Sequence, residues 1–203
     1  MNKSSETQDR ILDTAIRHFA KVGYHGTKTA DIAKDSGVSE GTVFKYYSTK
    51  TDILRGAMSK IIHSIIPGIM FGPAEDFESM VDSPDPKGEL KKRLEIRMEK
   101  VNQNIGAFKV LINEMQYHED IMSEYTGQFV PKAIGMIEEY ISLGISRGIF
   151  RQMDIHTIAR SMVGMMAMII LEGNVLKKPI ELDKELDIVL DIFFNGIYVR
   201  KEG

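Results

Sequence analysis

The sequence predicts an all-α protein: a three-helix head at the N-terminus followed by a helical-bundle body, about nine helices in total. Three observations predict it. Apolar residues recur at three- and four-residue spacing in nearly every segment. Residues that cap helices stand ahead of those segments. No stretch alternates as a strand does, and no internal repeat is visible. The 203 residues are enough for one ordinary domain or two small ones.

The elements follow in order. Ser5-Glu6-Thr7-Gln8 reads as a capping box, and Ile11, Leu12, Ala15, Ile16, Phe19 and Ala20 form the apolar face behind it. Gly23 stops that helix. Thr29 caps a short helix holding Ile32 and Ala33, which Gly37 ends. Ser39 caps a second short helix, Glu40 to Tyr46. Thr49 and Asp52 start a longer one, from about Lys50 to Ile66, which Pro67-Gly68 breaks or kinks. Residues 67–88 carry four of the six prolines and read as a loop. Helix resumes near Glu89 through Leu90, Leu94, Met98, Val101, Ile105 and Phe108, with an interruption at 102–106. Pro131 kinks a pattern from Ile121 to Arg147. Asp154 caps a helix reaching about Leu176, and a last helix spans about Asp183 to Val199.

Composition excludes several chemistries. Without cysteine there is no disulfide, thiolate metal site or cysteine nucleophile. The polar N-terminus does not read as a signal peptide. The longest apolar run, Met162 to Leu171, has ten residues, against about 20 for a membrane span. The expectation is a cytoplasmic protein with no membrane partner. A net charge of −3 argues, as an average, against nucleic acid. The average hides an asymmetry. Residues 1–60 carry ten Lys/Arg against seven Asp/Glu, a net +3, and the remainder carries a net −6.

That basic segment contains a helix-turn-helix, residues 28–47, with Ser36-Gly37-Val38 as the turn. The second helix of such a unit fits the major groove and faces base edges with its first residues. Glu40, Gly41 and Thr42 occupy that first turn. Gly41 allows close approach, and Thr42 offers a hydroxyl and a methyl. Phe44, Lys45, Tyr46 and Tyr47 follow as an aromatic and basic cluster. Thr29 and Lys50 head the flanking helices, where phosphates bind. Val43 and Tyr47, and to some extent Phe44, are also expected to pack the three helices together.

The run Ile32-Ala33, Gly37-Val38-Ser39, Gly41, Phe44-Lys45-Tyr46-Tyr47, Lys50 and Ile53-Leu54 resembles the TetR repressor family. Ala15, Phe19, Gly23-Tyr24 and Thr27 resemble it upstream, and Gly148-Ile149-Phe150-Arg151 with Asp154 and Ala159 is a weaker echo downstream. The resemblance implies a DNA-binding domain over 5–65 and a ligand-binding and dimerisation domain over 66–203. It implies a homodimer on a pseudo-palindromic double-stranded operator, released by a small molecule. Carried over by position, DNA contacts fall to Thr29, Ser39, Glu40, Gly41, Thr42, Phe44, Lys45, Tyr46 and Lys50. Phe44 lacks the hydroxyl that the family's usual tyrosine gives a phosphate, and Tyr47 carries an extra one. Glu40 is acidic where a basic residue is common, and it either reads a cytosine or caps the helix.

Other readings are weaker. Gly37-Val38-Ser39-Glu40-Gly41 matches the G-x-S-x-G elbow of hydrolases, but the elbow needs a strand before the serine and a helix is expected there. Glu114 and His118 are four apart with Glu119 and Asp120 beside them, yet neither Glu-x-x-His nor H-E-x-x-H occurs. No metal, cofactor or catalytic residue is expected, and the protein is read as a non-enzyme. A DNA-binding regulator without a small-molecule effector is the main alternative.

In the body, the run Met162 to Leu171 is apolar all round and is expected to be buried on several sides. With the last helix it predicts a dimer interface of Gly164, Ala167, Met168, Leu171, Leu186, Val189, Leu190, Phe193, Phe194 and Ile197. Thirteen methionines, none between Asn2 and Ala57, point to an adaptable apolar body. His63, Met98, Phe108, Met115, Tyr117, Met136, Tyr140, Met162 and Met166 are the candidate pocket for an apolar or amphipathic effector.

Overall fold

A computed structural model describes residues 3–70 and 77–197, except the side chains of Lys3, Asn174, Val175 and Ile197. The chain runs through α1 (Lys3–Gly26), α2 (Thr29–Asp35), α3 (Glu40–Tyr46), α4 (Lys50–Lys60), α5 (Ile66–Met70) and α6 (Phe77–Val81). It continues through α7 (Pro86–Gln103), α8 (Ile105–Glu114), α9 (Glu119–Glu124), α10 (Val130–Ser146), α11 (Ile155–Ile170) and α12 (Leu182–Ile197). Among the described residues there is no strand, so the fold is all-α. The chain divides into two compact units, residues 1–68 with 104–125, and residues 69–103 with 126–203.

In the first unit, Ile11, Ala15 and Phe19 of α1 are buried with Ile32 and Ala33, Val43, and Ile53, Leu54 and Ala57. Each large side chain among them contributes about 1.5–3 kcal/mol by leaving water. Gly23 (φ +74°) breaks the regular run of α1. Thr27 then donates its hydroxyl to the Gly23 carbonyl at 2.8 Å, closing the turn into α2. α8 lies along α1, where Gly106 lets the helices approach: a Cβ there would stand 3.1 Å from that of Ala20. This contact is why a segment distant in sequence joins the N-terminal helices. Lys60 closes α4 onto α1, with its Nζ 2.8 Å from Asp13 and 3.1 Å from Asp9.

The two prolines expected to kink helices share one solution. Pro67 follows a π-helical turn at Ile61–Ile65, and Pro131 follows another at Tyr125–Phe129. A proline has no N–H for the carbonyl four residues back, and its ring collides with that carbonyl. Widening the preceding turn moves the carbonyl away, and helix continues on both sides.

In the second unit an aromatic row runs through the core. Ring centroids lie 6.0 Å apart for Phe77 and Tyr140, 5.6 Å for Tyr140 and Phe150, and 5.9 Å for Phe150 and Phe194. Gly148 (φ +72°) reverses the chain after α10 and delivers Phe150 into that row. The Asp154 carboxylate accepts from the Thr157 N–H at 2.7 Å and starts α11. That hydrogen bonding to Thr157 also lowers its pKa. Lys91 of α7 lies 2.6 Å from Asp183 and 2.7 Å from Asp187 of α12, which raises the lysine pKa.

Several local expectations need correction. α1 begins by Lys3, so Ser5 lies inside the helix rather than capping it. α7 starts at Pro86, three residues ahead of Glu89, because the Asp85 carboxylate accepts from the Gly88 N–H at 2.9 Å and proline suits a first turn. Glu114 and His118 do not share a helical face, since a 3₁₀ turn at Met115–Tyr117 separates α8 from α9. Helical structure from Ile155 to Gly173 extends beyond the ten-residue apolar run to 19 residues with mean hydropathy 1.3, which by length and composition alone matches a membrane span and equally a core helix. The helix is not buried on several sides. Ala159, Met162, Met166 and Ile169 form one buried stripe, and Gly164, Ala167 and Met168 are exposed. The C-terminal residues Tyr198 and Val199, expected in the last helix, lie outside the described residues.

Candidate nucleic-acid interface

The turn between α2 and α3 is closed by local bonds. Ser36 donates its hydroxyl to the Ala33 carbonyl at 3.1 Å, and the Val38 N–H reaches that same carbonyl at 3.0 Å. Gly37 between them has φ +69°, which costs a glycine little. Ser39 caps α3: its Oγ accepts from the Thr42 N–H at 3.1 Å and lies 2.8 Å from the Thr42 hydroxyl. A helix and a tight turn precede Ser39, so the G-x-S-x-G run lacks the strand-to-helix geometry of a nucleophile elbow.

Val43 anchors α3 in the core and turns the opposite face outward. Glu40, Gly41 and Lys45 are exposed, Thr42 and Tyr46 are partly exposed, and Phe44 is 43% exposed. Phe44 therefore sits on the outward face and is not core. Tyr47 does pack: its ring would stand 3.0 Å from a Cβ at Gly56. Burial, with the charge of Asp9 adding to it, raises the Tyr47 pKa.

Side-chain contacts hold this surface in place. The sequence predicts that Thr29 caps α2, but its hydroxyl instead donates to the Glu40 carboxylate at 2.5 Å, because the two helix starts face each other. Ser4 donates to the Tyr46 hydroxyl at 3.2 Å. Lys50 Nζ lies 4.5 Å from the centre of the Tyr24 ring and 3.4 Å from the His25 carbonyl. The Tyr24 hydroxyl is 2.9 Å from that of Thr51. Tyr24 thus aims the ammonium, a role that residue spacing does not reveal. Capped helix starts with outward Thr, Lys and Tyr side chains can hold phosphate and present groups to base edges.

The deciding comparison is over this same stretch: residues 11–57 match the model of the bacterial regulatory proteins of the tetR family. Residues 11–57 belong to the TetR family. The uncharacterized HTH-type transcriptional regulator YerO of Bacillus subtilis is 27% identical over 110 residues, 54% of this chain and 36% of that protein. The fatty acid metabolism regulator protein of Bacillus subtilis is 42% identical over 45 residues, 22% of this chain and 23% of that protein. The matched stretches thus span well under two thirds of these relatives. A crystal structure of a proposed TetR-family regulator from Mesorhizobium loti MAFF303099 superposes with a TM-score of 0.79. It covers 98% of this chain and 100% of its own at 16% identity, and so shows the TetR fold.

The candidate pocket residues of the chain are dispersed. His63, Phe108, Met115 and Tyr117 belong to the first unit, and Met98, Met136, Tyr140, Met162 and Met166 to the second. His63 is exposed and its Nε2 lies 2.7 Å from the Glu124 carboxylate, so it is a hydrogen-bonded surface group rather than a cavity wall. Tyr117 is 74% exposed at an open cleft of about 640 Å³ in the first unit, beside Tyr24, His25 and Glu114. Met98 lines a cleft of about 200 Å³ in the second unit with Ile169 and Leu182. Phe108, Tyr140, Met162 and Met166 are buried core, and Met115 and Met136 are partly exposed. Among the described residues no group of three or more His, Asp or Glu is placed to hold a metal ion.

The candidate interface also needs correction. Leu186, Val189, Leu190, Phe193 and Phe194 are buried within the chain itself, so they have no surface to offer a second copy. The outward face of α12 is Ile188, 48% exposed, and Ile192, 60% exposed. Met168 on α11 is 53% exposed, with Gly164 and Ala167 beside it and Leu171 partly exposed. The Ile197 side chain lies outside the described residues. Ile188 and Ile192 stand four residues apart, opposite the Leu186–Leu190–Phe193 stripe, and that spacing is legible in the sequence.

Proposed function

We propose that this chain is a TetR-family transcriptional repressor. It binds a pseudo-palindromic DNA operator as a homodimer and leaves it when an apolar or amphipathic small molecule binds the body. The observation that carries the reading is the face of α3, pinned from behind by Val43 and capped by Ser39, with Thr42, Lys45 and Tyr46 outward. Thr29, Ser39, Glu40, Gly41, Thr42, Phe44, Lys45, Tyr46 and Lys50 then make up the DNA surface, with Lys50 and Tyr46 on phosphates and the first turn of α3 toward base edges.

The dimer reading rests on exposed apolar side chains. Met168, Ile188 and Ile192 lie on two helices of one unit, with Gly164 and Ala167 permitting close approach. A two-fold copy of α11 and α12 makes a four-helix bundle that covers them. The effector class is supported by the methionine-rich body and by the fatty acid metabolism regulator among the relatives. The effector must bind the DNA-free state better than the bound one, otherwise no population shifts.

Native mass spectrometry of purified protein, with and without duplexes selected from a random pool, tests this. The expected species are a dimer and a dimer–duplex complex that a long-chain fatty acid, used as an amphipathic probe, dissociates. A monomer that selects no duplex overturns the reading. A dimer–duplex complex indifferent to every amphipathic probe overturns the effector part alone.

A further inference from the structure

Glu40 is the feature that a DNA-facing surface does not explain by charge. It places a carboxylate on the first turn of α3, exposed, on the surface assigned above to a polyanion. It is also held in place. Thr29 Oγ1 donates to Glu40 Oε1 at 2.5 Å, bridging the first residue of α2 to the first residue of α3. The partner is a hydroxyl and not a cation. The hydroxyl spends its one proton on Oε1, and Oε2 still accepts.

A fixed carboxylate repels phosphate and tolerates only donors, which narrows what can face it in the major groove. Guanine presents two acceptors there, and thymine an acceptor and a methyl. Adenine presents its amine beside the N7 acceptor, which a carboxylate meets unfavourably. Cytosine presents an N4 amine with no acceptor beside it in that groove. We propose that Glu40, oriented by Thr29, sets the base preference of this protein by selecting a cytosine at one position in each half of the operator. The inference rests on the DNA-binding reading above. It assigns Glu40 to base selection and Thr29 to positioning.

Selection of duplexes from a random pool by the full-length protein, followed by sequencing, tests it with two variants. The unaltered protein enriches cytosine at one position per half-site. Glu40→Gln moves that position to adenine, since an amide reads the adenine N6/N7 pair, and leaves the remaining motif in place. Thr29→Val keeps the shape, removes the hydroxyl, and lowers the preference for cytosine at that position by roughly tenfold. Identical motifs from the unaltered protein and Glu40→Gln overturn the inference while leaving DNA binding intact. An unchanged preference in Thr29→Val overturns the role of Thr29. No enriched motif from the unaltered protein overturns the DNA-binding reading, and this inference with it.

Discussion

The ring of Phe150 lies directly against the Cα of Gly144, so that a Cβ at position 144 would overlap Phe150 Cδ2 and Cε2. The backbone N–H of Phe150 reaches the Gly144 carbonyl at 3.0 Å, so α10 ends by folding its own continuation back onto this glycine. Gly144→Ala sets two effects against each other. Alanine favours helix by about 1 kcal/mol over glycine. Overpacking a filled core costs about 1–3 kcal/mol, and Phe150 is boxed in by Tyr140 and Phe194 and cannot yield. With the ring this close the cost falls at the upper end of that range, and the expected net is a loss of about 2 kcal/mol in urea denaturation at fixed protein concentration. A variant as stable as the parent shows that the ring moves freely.

Lys60 stabilises the first unit in a pH-dependent way. Burial pulls its pKa down, but hydrogen bonds to Asp13 and Asp9 outweigh that and leave it above its ordinary 10.5. A raised folded-state pKa means the stabilisation is complete below pH 10.5 and fades as pH rises through the folded value. Lys60→Met keeps the stem and removes the charge. It is expected to cost about 1 kcal/mol at pH 7, a partly screened pair being worth no more. The gap between variant and parent in urea melts narrows above pH 10.5. A gap that stays constant to about pH 12 refutes the ion-pair account.

Phosphate contacts have a separate signature. Lys50→Ala should weaken binding to every duplex alike and reduce the slope of log K against log salt by about 1. Tyr46→Ala should weaken binding as well and remove the hydrogen bond that its hydroxyl accepts from Ser4. Fluorescence anisotropy across a salt series reads both. Affinity unchanged in both variants removes these residues from the DNA surface.

Two classes of substitution on α12 separate surface from core. Ile192→Glu, paired with Met168→Glu, is expected to give a folded monomer by sedimentation, since both side chains are more than half exposed. Leu190→Glu buries a charge in the unit itself and is expected to abolish folding. A double variant that stays dimeric at micromolar concentration places the interface elsewhere.

Features decided within four residues are legible in the sequence. Ser39 bonds the Thr42 N–H, Thr49 and Asp52 bond each other's N–H groups, and Asp154 bonds the Thr157 N–H. Gly23, Gly37 and Gly148 all stand at positive φ where helices stop. The exceptions have identifiable causes. Thr29 finds a partner eleven residues away, and Pro67 and Pro131 are accommodated by π turns that periodicity does not reveal.

The sequence by itself determined the longer helices, several of their caps and the helix-turn-helix, because these depend on propensity and bonds between near neighbours; the short α5 and α6 fall where residues 67–88 read as a loop. Only the tertiary structure decided which side of each apolar helix became surface. In α12, Leu186, Leu190 and Phe193 went inward and Ile188 and Ile192 outward, although all five are apolar. Only packing placed 104–125 with the N-terminal helices, through the contact of Gly106 with Ala20. Only packing faced Thr29 toward Glu40 and Lys50 toward Tyr24. An apolar pattern says that a residue must be covered, and the neighbour that covers it is a property of the whole chain.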